Sequence, residues 1–212
     1  MSNISSEQLL LGAFGSLLIA AVVTALCARN WRRTGWIAVV FTAIASVLLW
    51  VLAARAFASG AQTIGPVLSF SPLGASLTFR IDRLSAIFLM VVPFIGLLTM
   101  LYAVEFMRKT QTGQSPRVYY PFALLMTAAI IGVVTASDLF FFFIFWELMT
   151  LVSWALVWFD REDPVKVQAA WQYFFVTHVA AACILVAAVV AYHNSGSFAF
   201  PDVARAMGDL AR

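Results

Sequence analysis

"SDLFFFFIFWELMTLVSWALVWFDRED", residues 137–163, holds a single acidic residue, Glu147, within twenty-one residues (139–159) that are otherwise uncharged. A helix of that length reaches across the hydrocarbon core of a bilayer, about 30 Å. The stretch therefore reads as a membrane span, and that reading decides the fold class. A charged side chain at mid-membrane costs about 2.5–3.5 kcal/mol on insertion scales. Glu147 needs a physical reason to be there.

The rest of the chain agrees with a membrane class. Of 212 residues, 63% are hydrophobic and 11% charged, with a mean hydropathy of +0.93. A soluble domain runs nearer about 45–50% apolar and about 25% charged. The expected fold is an all-α integral membrane protein, one membrane domain over 1–212. Six spans are expected, at about 9–28, 35–57, 81–104, 120–136, 138–159 and 165–192. The first has no basic region before it and is too long for an ordinary signal, so it reads as a retained span. The net charge of +3 is small and forms no basic patch, so no nucleic-acid partner is expected. Cys27 and Cys183 lie in or beside different apolar runs without metal-like spacing and read as buried free thiols.

Charge placement suggests an orientation. Arg29, Arg32, Arg33, Arg108, Lys109, Arg117, Arg161 and Lys166 fall on one side, eight of the thirteen basic residues. Arg55, Arg80, Arg83, Arg205 and Arg212 fall on the other. The richer side is expected to be cytoplasmic, which puts both termini outside. A bacterial-type inner (plasma) membrane is the expected location.

Local signals support these boundaries. Asp163 precedes Pro164, an N-cap candidate before a proline suited to the first helical turn. Asp138 can cap the fifth span after a very short turn. Asp82 and Arg83 read as an interfacial pair at the start of the third span, and Pro93 inside it predicts a kink. "VLSF-SPLGA-SLTFRI" places two β-prone runs around a Pro/Gly turn, an outward hairpin. In "FPDVARAMGDLAR", Val203, Met207 and Leu210 recur at helical spacing, so residues 199–212 are expected to form an amphipathic interfacial helix.

Among the ten acidic residues only Glu147 lies deep in a span. His178 lies at a similar depth when both are counted from the joint "DREDP", although depth alone does not show that they face each other. Desolvation favours the neutral form of a carboxyl group, and imidazole can relay a proton through its two nitrogens. Proton transfer by Glu147 and His178 is the expected chemistry, with Thr150, Gln172 and Thr177 as supporting polar groups. Lys166 reads as snorkelling to the cytoplasmic surface. No haem-like histidine pair, cysteine cluster or phosphate loop stands in the sequence, so no metal and no cofactor are expected in this chain.

"RIDRLSAIFLMVVPFIGLL" with "LYAVEFM", "SDLFFFFIFWELMTLVSWALV" and "AAWQYFFVTHVAAACILVA" occur in that order over 81–191. Together they resemble the third, fifth and sixth helices of the antiporter-like proton-translocating membrane subunits. Those subunits occur in complex I, Mrp-type cation/proton antiporters, and group 4 membrane-bound hydrogenases with their formate hydrogenlyase relatives. The resemblance implies that Glu147 is the family's central-axis glutamate, partnered by a lysine on a later broken helix. It implies a non-redox subunit of a complex like NADH:quinone oxidoreductase or a membrane-bound hydrogenase. Expected partners are soluble redox subunits and other membrane subunits, one of them supplying helices beyond the sixth, after which the family pattern is truncated here. Two further readings stand beside it: a non-conducting structural subunit for assembly and docking, and part of a cation/proton or inorganic-carbon transport assembly without redox partners.

Overall fold

The structure, a computed structural model, describes residues 4–27, 30–70, 74–110, 115–159 and 162–210. The chain forms α1 (Ser6–Cys27), α2 (Trp31–Ser59), a hairpin of β1 (Gln62–Phe70) and β2 (Ala75–Ile81), then α3 (Arg83–Thr110) and α4 (Pro116–Thr135). It continues through α5 (Leu139–Val157), α6 (Pro164–Ser195) and α7 (Phe200–Leu210). Among the described residues, six helices, α1 to α6, are long and apolar enough to cross a membrane. The protein is a multi-pass, all-α membrane protein with one small two-stranded sheet.

Caps extend two helices beyond their apolar runs. The Asn30 side chain accepts from the Arg32 N–H at 2.9 Å, so α2 begins at Trp31 rather than near residue 35. The Ser115 hydroxyl accepts from the Arg117 N–H at 3.2 Å, so α4 begins at Pro116 rather than near residue 120. A side-chain acceptor satisfies N–H groups that helix geometry leaves unpaired, and the helix can then run out into polar flanking sequence.

Within the bundle α1 packs against both α2 and α4, α3 leans on α2, and α5 on α4. Buried alanines, among them Ala13, Ala20, Ala38, Ala45 and Ala53, let these backbones approach closely. Gly132 does the same between α4 and α5, since a Cβ there would collide with the Phe145 ring. The helix α3 runs through Pro93. Beside it, α2 donates to an α3 carbonyl from Trp50 Nε1 (to Met90 O, 3.1 Å), and the Ser46 hydroxyl, which donates chiefly to Thr42 O at 2.7 Å, lies 3.2 Å from Pro93 O. Neighbouring side chains commonly meet carbonyls around a membrane proline in this way.

One end of the bundle gathers five pieces of the chain. The Arg55 guanidinium donates to Ile4 O at 2.6 Å, tying the start of the chain to the end of α2. The Ser137 N–H donates to Thr78 O at 3.0 Å, joining β2 to the α4–α5 turn. The Leu139 N–H donates to Phe198 O (2.8 Å) and the Phe200 N–H to Ser137 O (3.1 Å), joining that turn to the segment before α7. Asp138 lies at the centre and is only 2% exposed. Its Oδ1 accepts from Phe140 N (2.9 Å) and Phe141 N (3.2 Å), while Oδ2 accepts from Ser76 N (3.3 Å). This carboxylate is therefore more than a helix cap; it binds β2 to α5.

Two expectations change. Cys183 is exposed on α6, because that helix packs against α5 and α7 and leaves its other flank open; the Cys27 side chain lies outside the described residues. Asp82 is not paired with Arg83 among the described ion pairs. Its Oδ1 accepts from the Ser85 N–H at 2.9 Å, and this bond, aided by Arg80, holds the carboxyl below the usual carboxylate range. On α7, Val203 is half-buried and Met207 is 36% exposed, and the side chain of Leu210 lies outside the described residues.

Replacing Asp138 with Ala removes the cap and the Ser76 contact together and should cost about 2 kcal/mol. Asn keeps an acceptor for Phe140 and Phe141 but not for Ser76, and should cost about half as much. Thermal melting of the detergent-solubilised variants checks the order: wild type above D138N above D138A.

Candidate functional site

Glu147 is the ninth residue of α5, about 12 Å from its start and about 15 Å from its end. It cannot reach water along its own helix. α6 runs antiparallel beside α5, with its first turn fixed by Asp163, whose Oδ1 accepts from the Val165 N–H at 2.9 Å. Pro164 takes the first helical position, where a missing N–H costs nothing. His178 follows fourteen residues later, on the flank turned to α5.

The structure brings the two together. His178 Nε2 lies 3.5 Å from Glu147 Oε2, the side chains being 28% and 22% exposed. That is ion-pair distance, slightly beyond a direct hydrogen bond. On the other side of the ring, His178 Nδ1 is 2.8 Å from Phe174 O. A carbonyl oxygen only accepts, so Nδ1 carries a proton and Nε2 is left to face the carboxyl group. The ring also lies on Phe174, centroids 3.9 Å apart, which fixes its plane. One proton between Oε2 and Nε2 satisfies both atoms, whichever of the two holds it; without it, two lone pairs would face each other. The arrangement can bind, hold and pass on a single proton.

The remaining sequence candidates divide. Thr150 is buried and close by, but its hydroxyl donates to Glu147 O at 2.9 Å, not to the carboxyl group. The Thr177 hydroxyl donates back to Tyr173 O (2.8 Å) and Phe174 O (3.0 Å). Gln172 is exposed on α6. Lys166 sits near the α5–α6 connection with Nζ 3.7 Å from Asp163, twelve residues and about 18 Å of helix from His178. Asp82, Asp138, Asp163 and Pro164 act at helix starts, away from the pair.

Two features escaped the sequence reading. The Ser153 and Tyr173 hydroxyls meet across α5 and α6 at 2.6 Å. Trp154, Trp158, Trp171 and Phe174 form an aromatic cluster between the pair and the α5–α6 connection. The three-residue recurrence of Glu147, Thr150 and Ser153 was the available signal for the first. Among the described residues no cluster of metal-binding side chains occurs.

The bond to Phe174 fixes the tautomer of neutral His178. In ¹⁵N-histidine-labelled protein, where His193 is the only other histidine, solid-state NMR should show a protonated Nδ1 in every state of the pair. An unprotonated Nδ1 would contradict this geometry.

Residues 136–211 match the family model for the transmembrane region of NADH:quinone oxidoreductase and Mrp antiporter subunits. Residues 68–115 match the model for the N-terminus of complex I chain 5, and the two together cover more than half of the chain. Hydrogenase-4 component B of Escherichia coli (strain K12) is 30% identical over 126 residues, 59% of this chain and 18% of that protein. Na(+)/H(+) antiporter subunit A1 of Staphylococcus haemolyticus is 26% identical over 164 residues, 76% of this chain and 20% of that one. The chain thus spans about a fifth of the length of these curated relatives. Among solved structures, a subunit of an archaeal membrane-bound sulfane sulfur reductase superposes with a TM-score of 0.73 at 27% identity, over 90% of this chain and 28% of that one. A chain of the Mrp complex from Dietzia sp. DQ12-45-1b superposes with a TM-score of 0.76 at 24% identity, over 96% and 39%, and shows the shared fold. Taken with the six spans and the hairpin, these matches establish that the chain belongs to the antiporter-like membrane-subunit family of complex I, Mrp antiporters and membrane-bound hydrogenases.

Proposed function

We propose that this chain handles protons within a multisubunit, redox-driven membrane complex, with Glu147 as the group that loads and releases the proton and His178 as its immediate partner. The observation that carries the reading is the 3.5 Å contact between the only deep carboxyl group and an imidazole on the neighbouring helix. Neither group is at a helix end, where snorkelling would relieve its cost. A site at half depth also couples to the membrane potential, at about 1.2 kcal/mol per charge for 100 mV.

Partners follow from the relatives. The matched structures are subunits of multisubunit membrane assemblies, one a respiratory reductase and one an Mrp complex. Other membrane subunits are accordingly the proposed neighbours here. Redox subunits are proposed on the strength of the respiratory and hydrogenase relatives, beside which cation/proton antiporter subunits match at similar identity. The relatives extend well beyond the matched region. Helices equivalent to that remainder, in this polypeptide or another, would pack on the open flank of α6 and supply the lysine that the family pattern pairs with Glu147. The side bearing Arg32, Arg33, Arg108 and Lys109 is assigned to the cytoplasm, in a bacterial-type plasma membrane.

Glu147→Gln keeps the shape and the hydrogen-bonding atoms but cannot release a proton. In the complex purified from its own membranes and reconstituted in vesicles with a pH-sensitive dye, E147Q should slow proton translocation about a hundredfold. Unchanged rate and stoichiometry would remove Glu147 from the mechanism and favour a structural, docking role for the chain.

A further inference from the structure

Glu147, Thr150 and Ser153 recur every three positions, which keeps them along one face of α5. That face is turned to α6 at two levels: Glu147 meets His178, and Ser153 Oγ meets the Tyr173 hydroxyl at 2.6 Å. Six residues along α5 and five along α6 separate the two contacts, about 8–9 Å of helix. The hydroxyl contact lies on the side of the α5–α6 connection.

The hydrogens at this second level can be assigned. Ser153 Oγ also lies 2.9 Å from Thr150 O and donates to it. The Ser153 hydrogen is then in use, so Tyr173 is the donor in the 2.6 Å contact. One Ser153 lone pair is still open. The next residue, Trp154, lays its indole against Trp171 and Phe174 of α6, with centroids 5.5 and 5.2 Å apart. Its Nε1–H is buried between the helices and has no hydrogen-bond partner among the described residues. A buried donor in that position is a natural seat for an ordered water.

We propose that the Ser153 and Tyr173 hydroxyls are the step through which a proton reaches Glu147 and His178 from the α5–α6 connection. Water seated by Trp154 Nε1–H would span the remaining distance. The proposal rests on the reading of Glu147 as the proton-loading group. In the step, a hydronium ion on the side of the connection gives a proton to a free lone pair of Tyr173 Oη, and the Tyr173 hydrogen moves along the 2.6 Å contact to Ser153 Oγ. The Ser153 hydrogen, turned from Thr150 O to the water, passes through that water to Glu147. An O–H bond forms on the Glu147 carboxylate, the hydroxyls and waters return to neutral, and no electron moves. Ser153 and Tyr173 thus act on the proton before it reaches the pair.

The test uses the reconstituted complex with two readouts, proton flux and hydrogen–deuterium exchange at the Glu147 carboxyl. The latter is followed by the infrared C=O band that disappears in E147Q. Tyr173→Phe and Ser153→Ala each delete one hydroxyl with little change of shape, and each should slow both exchange and flux about tenfold. Ser153→Thr, which restores a hydroxyl, should recover both. Wild-type exchange and flux in Y173F and S153A, with E147Q still blocking flux, would overturn the uptake route and leave the role of Glu147 standing. Unchanged flux in E147Q would instead overturn the reading on which the route depends, and the route with it.

Discussion

A helix crossing hydrocarbon must have its terminal N–H groups satisfied, and the side chains that do so also set the depth of every residue that follows. In this chain two aspartates have that role. Asp138 starts α5 and ties its first turn to β2, which places Glu147 at mid-membrane. Asp163 starts α6 from the opposite end and places His178 fourteen residues in. The contact between carboxyl and imidazole is the product of two caps at opposite faces of the membrane. Neither depth would hold if either helix slipped by a turn.

The architecture divides the work. Helices α1 to α4 form a closely packed body, rich in buried alanine and closed at one end by the hairpin. Helix α5 leans on α4 through Gly132 and Phe145, and α6 leans on α5. The Glu147–His178 pair lies between α5 and α6, at the margin of this body. Such a position suits a site that must exchange protons: it is held rigidly on one side and open to further helices or water on the other.

The ring of His178 shows how little is needed to give such a site a direction. Its Nδ1 is committed to Phe174 O, so only Nε2 can change its partner. Phe174, Trp154 and Trp171 fill the space toward the α5–α6 connection with apolar surface. Beside them the Ser153 and Tyr173 hydroxyls meet across the two helices.

Much of this was legible in the residues. Long apolar runs can satisfy their backbones in lipid only as helices, so the number of spans follows from composition and length. The Pro/Gly turn between β-prone runs announced the hairpin, and the lone Glu147 marked the carboxyl group that meets His178. What sequence could not supply was facing. Counting along two antiparallel helices gives depth, but the rotation of each about its axis is set by packing, here by Phe145 against Gly132 and by the aromatic contacts of Trp154 with α6. For the same reason Cys183 seemed buried by its apolar neighbours but is exposed, and Asp82 followed Ser85 and Arg80 rather than the adjacent Arg83. The sequence alone determined which groups lie in the membrane and how deep. Only the tertiary structure decided which of them meet, because a meeting depends on helix rotation, and rotation is fixed by contacts between residues far apart in the chain.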